Sequence, residues 1–509
     1  MHAFQRALCA GVIAVCALQA HARAPAPAAN LAATRQYYGE LVSGPAPRTA
    51  ELNLLMTMLP KGGDLHHHYS GSIYAETYLE WIGRKGWCVY RESDPAANAR
   101  KYNIETRTPP AFEPPKSCLK LDAIRRDNGF YREILSQWSD KDFDNHVHAQ
   151  VPPDQHFFDT FPKFGPASAL FTREGLLQLK ARAKAENMQY LETMLRSAPG
   201  TDHPELAARI DALPPDADEA TVFQALAAYA DFLASDDTAK QRIDDYVKGI
   251  EADAGGLDDE DFTLRIQTYV SRNSAPSKVF AGLYAAFAAD AQSPLLVGVN
   301  IVGPENGYVA LRDYRLHMRM FRFLKQRFPQ VRLSLHAGEL VLGMVPPEDL
   351  RSHIRDAIEI AGAERIGHGI GITWEDGADE LLEAMRVRNI PVEINITSNA
   401  FILGVKNEAH PLTVYKRHGV PIVISTDDSG VSRNNISCEY LLYTTRYRPS
   451  YDTLKQTVYN SIRYAFLDPK EKRVQLERLD RRFLAFEATT ARIARAAARQ
   501  AGKRKAGVR

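Results

Sequence analysis

Cysteine is scarce in this chain, five in 509 residues, and long apolar runs are scarcer still. Past residue 22 no segment is long and apolar enough to span a bilayer, which excludes a membrane-spanning helix there. No glycine-rich phosphate fingerprint follows any of the early strand-like runs, so an open dinucleotide-binding sheet is disfavoured. Charge of one sign is missing too: 63 basic residues face 62 acidic ones, which leaves no electrostatic footprint for nucleic acid. What is present, 45% hydrophobic and 25% charged residues, is ordinary for a globular protein able to bury a large core.

The first 22 residues stand apart. Arg6 precedes the apolar run "ALCAGVIAVCALQA", which leads into "AHA", the pattern of a secretory signal peptide cleaved after Ala22. That predicts an exported protein, periplasmic or secreted. Cleavage removes Arg6, Cys9 and Cys16, so the mature chain is neutral and keeps Cys88, Cys118 and Cys438. In an oxidising compartment Cys88 and Cys118 are the expected disulfide pair, closing a proline-rich stretch, and Cys438 is expected to be an unpaired buried thiol. The basic ending "ARIARAAARQAGKRKAGVR" reads as a frayed terminal helix.

Three histidines in a row mark the stretch "LPKGGDLHHHYSGS". Its flanks predict a short strand opening on Gly62 and Gly63 and closing on Ser70 and Gly71. Side chains alternate along a strand, so His66 and His68 point together and His67 points away. Two imidazoles on one face make half of a metal site, and zinc needs further ligands.

Seven more strand-like runs follow: "MQYLETML", "FTLRIQTYV", "LLVGVNIVG", "VRLSLHAGE", "RIGHGI", "PVEINITSN" and "PIVISTDD". They alternate with helical patterns such as "REGLLQLKARAKAEN" and "DYRLHMRMFRFLKQRF". Eight such units predict an α/β fold, a TIM-type (β/α)8 barrel. The expected organisation is a signal peptide over 1–22 and a linker with a helical N-terminal extension over 23–57. The barrel follows over 58–490, with an irregular insertion after the first strand-helix unit at about 87–118, and a basic tail over 491–509.

A parallel barrel gathers its functional residues at the C-terminal ends of the strands. His66 and His68 end the first run, His336 and Glu339 the fifth, His368 the sixth, and Asp427 with Asp428 the eighth. Each alone could cap a helix or pack a loop; together they form a constellation. Three neutral imidazoles and one carboxylate suit zinc with an open position for a water of lowered pKa. Glu339, beyond the turn through Ala337 and Gly338, can trade protons with a substrate, and His368 can orient the water or accept its proton.

The motifs "PKGGDLHHHYSGS", "SLHAGE", "RIGHG" and "STDD", in this order, resemble the adenosine deaminase family. The leader, helical lead-in and cysteine-bearing insertion resemble its secreted, growth-factor-type branch, in which the lead-in supports a homodimer and the insertion carries a disulfide. The resemblance implies one Zn2+ per chain on His66, His68, His336 and Asp427. It makes Glu339 the acid that protonates purine N1, places His368 beside the attacking oxygen, and has Asp428 meet N7 and the Gly303 backbone meet N3. Where cytosolic relatives carry an aspartate next to the ribose, this chain has Ser70. The implied reaction is hydrolysis of adenosine, and of 2′-deoxyadenosine, to inosine and ammonia. The rivals are another adenine-type purine on the same barrel and a secreted binding or signalling protein. The absence of C-x-x-C argues against the cytidine-type zinc deaminases.

Overall fold

The computed structural model describes residues 26–94, 99–108, 114, 117–145 and 151–506. The signal peptide expected over 1–22 lies outside them. Eight parallel strands form the centre: β1 (Gly62–Asp64), β4 (Met188–Ser197), β5 (Thr263–Ser271), β6 (Leu296–Val302), β7 (Ser334–Ala337), β8 (Arg365–His368), β9 (Val392–Ile394) and β10 (Ile422–Ile424). Two strands between β1 and β4, β2 (Cys88–Asp94) and β3 (Ala99–Glu105), form a separate antiparallel hairpin.

Strands β1, β4, β5 and β6 pair in that order, as do β7, β8, β9 and β10. Single parallel bridges, Val299 to Leu333 and His67 to Asp427, join the two halves on both sides. The sheet thus curls into a TIM-type barrel, and one of its seams runs through the triple histidine. Helices cross over between successive strands, among them Thr172–Ala185, Pro276–Asp290, Tyr314–Arg327 and Ala378–Arg388. The strands are almost wholly buried on both faces, the pattern of near-continuous apolar runs that a covered parallel sheet demands.

The interior is not all apolar. Arg365 of β8 is buried between Glu192 of β4 at 2.5 Å and Glu393 of β9 at 2.6 Å. A charge there needs partners on both sides, because an unpaired ion in the barrel would face a desolvation penalty of several kcal/mol.

Several expectations change. The first strand stops at Asp64; the histidines continue it only through isolated bridges, and Tyr69–Ser72 is already helical. The stretch from Trp87, expected to be irregular, is organised by the β2–β3 hairpin, whose alternation is too polar to stand out in sequence. Cys88 is bonded to Cys118 there, and the flanking Val89 and Leu119 exchange backbone hydrogen bonds at 3.0 and 2.8 Å. Cys438 is exposed rather than buried, because it sits in the first turn of the helix Ile436–Tyr447 on its outward side.

The N-terminal helices Pro27–Val42 and Thr49–Met58 fold back on their own chain. Thr34 donates to the Glu487 carbonyl at 3.2 Å, and the Tyr38 hydroxyl donates to the Pro449 carbonyl at 3.0 Å. The first packs along the helix Pro469–Ala506, which runs straight through the boundary expected at 490, and the second packs on the helix Ile436–Tyr447. No helix among the described residues is long and apolar enough to cross a membrane.

Candidate active site

Every residue singled out at a strand end arrives at one mouth of the barrel. His66 and His68 follow β1, His336 lies in β7, His368 ends β8, and Asp427 and Asp428 follow β10. Two of these have left-handed backbones, His368 at φ 65° and Asp427 at φ 60°, conformations that a side chain adopts only where its surroundings hold it. The seam does that for Asp427, whose N–H donates to the His66 carbonyl at 2.9 Å while its carbonyl accepts from His68 at 3.2 Å. Two glycines make room. A Cβ on Gly367 would lie 2.6 Å from His66 Cε1, and one on Gly71 would lie 1.6 Å from Asp428 Oδ1.

The ligand atoms of His66, His68, His336 and Asp427 all lie within 4.8 Å of one another. Their outer hydrogen bonds decide which nitrogens face inward. His66 Nδ1 donates to Glu393 at 2.7 Å. His336 Nδ1 donates at 2.9 Å to Asn300 Oδ1, an oxygen that already accepts the Ile301 N–H at 2.8 Å. Both rings must then turn Nε2 inward, the orientation that outer partners impose on metal-binding histidines. His66 Nε2 is buried without a hydrogen-bond partner, and His68 Nε2 and His336 Nε2 face each other at 3.2 Å. Burial opposes a positive His66, yet Asp427 and Glu393 outweigh it and lift that ring to about 10. This place calls for a cation, and a donor set of three imidazoles and one carboxylate fits zinc. His67 turns away: its Nδ1 lies 2.8 Å from Thr193 Oγ1.

Glu339, His368 and Asp427 form a second cluster with facing atoms within the same 4.8 Å limit. The three carboxyls are held in different states. Burial, reinforced by the charges of Asp427 and Glu305, pushes Glu339 well above the usual glutamate range. Burial and the neighbouring Asp427 do the same to Asp428. Asp427 itself stays ionised, because His66, His368 and His68 outweigh the burial that opposes its charge. The surroundings thus push Asp427 one way and Glu339 and Asp428 the other, a separation typical of acid-base chemistry.

These groups line a cavity of about 380 Å³. Ser70 and Gly303 reach it as expected. One wall, not foreseen from sequence, is made of Phe157, Phe158 and Phe161 on the helix Pro153–Ser168, with Tyr269 nearby. Among the described residues that line it, none is lysine or arginine. Also unforeseen were Glu393, Asn300 and Ser398, whose hydroxyl donates to Asp427 Oδ2 at 2.7 Å. A charge inside the apolar run "PVEIN" is the signal that could have exposed Glu393.

Residues 237–482 match the adenosine deaminase family. The match takes in Gly303, His336, Glu339, His368, Asp427 and Asp428, while His66, His68 and Ser70 lie before it and join it only through the fold. An adenosine deaminase of Enterococcus faecalis is 33% identical over 153 residues, 30% of this chain and 42% of the relative. One of Escherichia coli is 30% identical over 185 residues, 36% of this chain and 50% of the relative. The chain thus spans half or less of the length of these curated adenosine deaminases. Among solved structures, an Arabidopsis N6-mAMP deaminase superposes with a TM-score of 0.51 at 16% identity, covering 84% of this chain and 98% of that one. A zinc-bound amidohydrolase from Burkholderia ambifaria gives 0.50 at 18% identity, covering 86% and 94%. Both likenesses concern the fold.

Proposed function

We propose that this chain is a zinc-dependent deaminase that converts adenosine, and 2′-deoxyadenosine, to inosine and ammonia. The observation that carries the reading is the buried Glu339 placed beside a three-histidine, one-aspartate cluster in a single cavity. Zinc on His66, His68, His336 and Asp427 would supply an acidified water at the floor of the cavity. Purine N1, N3 and N7 are all hydrogen-bond acceptors, so a site that reads them must donate. Glu339 gives its proton to N1 as the C6–O bond forms, which relieves charge on the ring. Asp428, kept neutral, donates to N7, and the Gly303 N–H donates to N3. Of the water's two protons one reaches N6 and the other restores Glu339, so that the C6–N6 bond breaks, ammonia leaves, and the ring keeps C6=O with a hydrogen on N1.

The apolar wall and the lack of a lining cation favour a neutral nucleoside over a nucleotide, whose phosphate calls for arginine or lysine. The signal-peptide pattern and the Cys88–Cys118 bond support export. A panel of purine bases, nucleosides and nucleotides, followed by loss of adenine absorbance beside a measured zinc content, tests the reading. Turnover of adenosine with about one zinc per chain supports it, and a zinc-replete protein that ignores every nucleoside overturns it.

A further inference from the structure

His368 differs from the histidines of the ligand cluster in what its outer nitrogen meets. Where His66 and His336 face oxygens, His368 Nδ1 faces the amide nitrogen of Asn399 at 2.9 Å. The chain of contacts continues inward. Asn399 Oδ1 lies 3.2 Å from His410 Nε2, and His410 Nδ1 accepts the Leu412 N–H at 3.0 Å. Asn399, His410 and His368 are all buried, so water does not compete for these bonds.

The direction of the whole chain follows from its end. A backbone N–H can only donate, so His410 Nδ1 accepts, which requires a neutral ring with its hydrogen on Nε2. Asn399 must then turn its oxygen to His410 and its NH2 to His368. An Asn399 flip would set two donors against each other at His410. His368 Nδ1 is left as an acceptor, and a second amide nitrogen, that of Asn395 at 3.5 Å, points at it as well. Glu339 Oε1 stands farther from the same nitrogen, at 3.5 Å against 2.9 Å for the Asn399 amide.

We propose that His410 acts through Asn399 as a positioning residue that fixes His368 with its hydrogen on Nε2, making His368 a hydrogen-bond donor to the reacting oxygen and not the acceptor of its proton. The inference rests on the deaminase reading for its consequence, but the tautomer itself is a property of this chain. It separates His368 from the ligands, because a nitrogen bearing hydrogen cannot bind a metal, and Nε2 is the atom that His368 turns toward Asp427, at 3.8 Å from Oδ2. Of the two roles expected from sequence, orienting the water or accepting its proton, it keeps the first.

The test is ring-nitrogen NMR of the full-length, zinc-replete protein labelled with 15N-histidine, with His368 assigned by its loss in His368→Gln. The expected wild-type spectrum shows a neutral His368 protonated on Nε2. In Asn399→Asp the new carboxylate accepts from both sides, so the His368 hydrogen moves to Nδ1, and kcat falls at least about tenfold with KM little changed. In His410→Phe the direction of Asn399 is no longer set, and both His368 tautomers appear. A wild-type hydrogen on Nδ1, or an unmoved Nε2 hydrogen in Asn399→Asp, overturns the proposal. The spectra read the tautomer whether or not adenosine is turned over, so failure of the substrate assignment is seen separately.

Discussion

Glu305 accepts the backbone N–H of Glu339 at 2.8 Å and that of Gly338 at 3.0 Å, so one buried glutamate holds the loop that presents another. The two are kept in opposite states. Burial disfavours a charge on Glu305, but Arg272 and a 2.5 Å contact to His353 outweigh it and hold its carboxyl down at about 2. Its charge in turn helps, after burial and Asp427, to raise the carboxyl of Glu339. Glu305→Gln should therefore loosen the loop and lower the pKa of Glu339 together. We expect kcat to drop at least about tenfold, and the alkaline limb of the pH-rate profile to move to lower pH. An unmoved alkaline limb would break the link between the two residues.

The same pair makes a stability prediction. A carboxyl whose folded pKa is about 2 lies below the roughly 4.3 of an unfolded glutamate, so the unfolded chain binds the proton first as pH falls. Its contribution is complete above about pH 4.3 and is lost progressively as pH drops toward 2. Denaturant titrations should show the stability gap between wild type and Glu305→Gln at its widest near neutrality, narrowing through that acid window. A gap constant with pH would contradict it.

The triple histidine divides by side-chain direction. His66→Ala removes a ligand atom and should abolish stoichiometric zinc. His67→Ala removes the ring contact to Thr193, whose hydroxyl keeps its 3.3 Å bond to the residue-67 carbonyl, and should keep the metal at a stability cost of about 1 kcal/mol for the lost hydrogen bond. Zinc content by mass spectrometry of the two purified variants decides it, and metal loss in His67→Ala with retention in His66→Ala would reverse the assignment.

These residues also show where sequence reading stops. The eight strands were legible because both faces of a parallel barrel are covered, so each strand is an apolar run with polar residues collecting at one end. His66, His68, His336, His368 and Asp427 were legible for that reason. Glu305, Asn399 and His410 were not: Glu305 and His410 sit in irregular segments, Asn399 in the short helix Ile396–Ile402, and no sequence pattern announces which neighbour each acts on. The hairpin β2–β3 was hidden by its polar alternation. Arg365, Glu192 and Glu393 left a trace as charges within apolar strands, but which of them pair is settled only by the order β4, β8, β9 around the barrel.

The Cys88–Cys118 bond closes a loop of 30 residues around the hairpin. In the chain-entropy view such a loop is worth on the order of 3–4 kcal/mol, acting on the unfolded chain. Cys88→Ser with Cys118→Ser should unfold at correspondingly lower denaturant concentration while retaining zinc, because neither cysteine touches the ligand cluster. Free thiols at both positions in a non-reduced digest of the exported protein would remove the basis for this prediction.

The last prediction isolates the acid. Addition of water at C6 builds charge on N1, and a positioned carboxyl that neutralises it stabilises the transition state far more than the bound substrate. Glu339→Gln keeps the shape and the backbone bonds to Glu305 but has no proton to give. It should bind about one zinc per chain and hold a purine nucleoside, while deaminating at least about a hundredfold more slowly. His336→Ala, by contrast, should lose metal and turnover together. Measuring zinc, nucleoside binding and kcat on the same preparations separates the two failures. Near-normal adenosine turnover in zinc-replete Glu339→Gln would place the acid elsewhere, and the opposite protonation of Glu305 and Glu339 would then need another role.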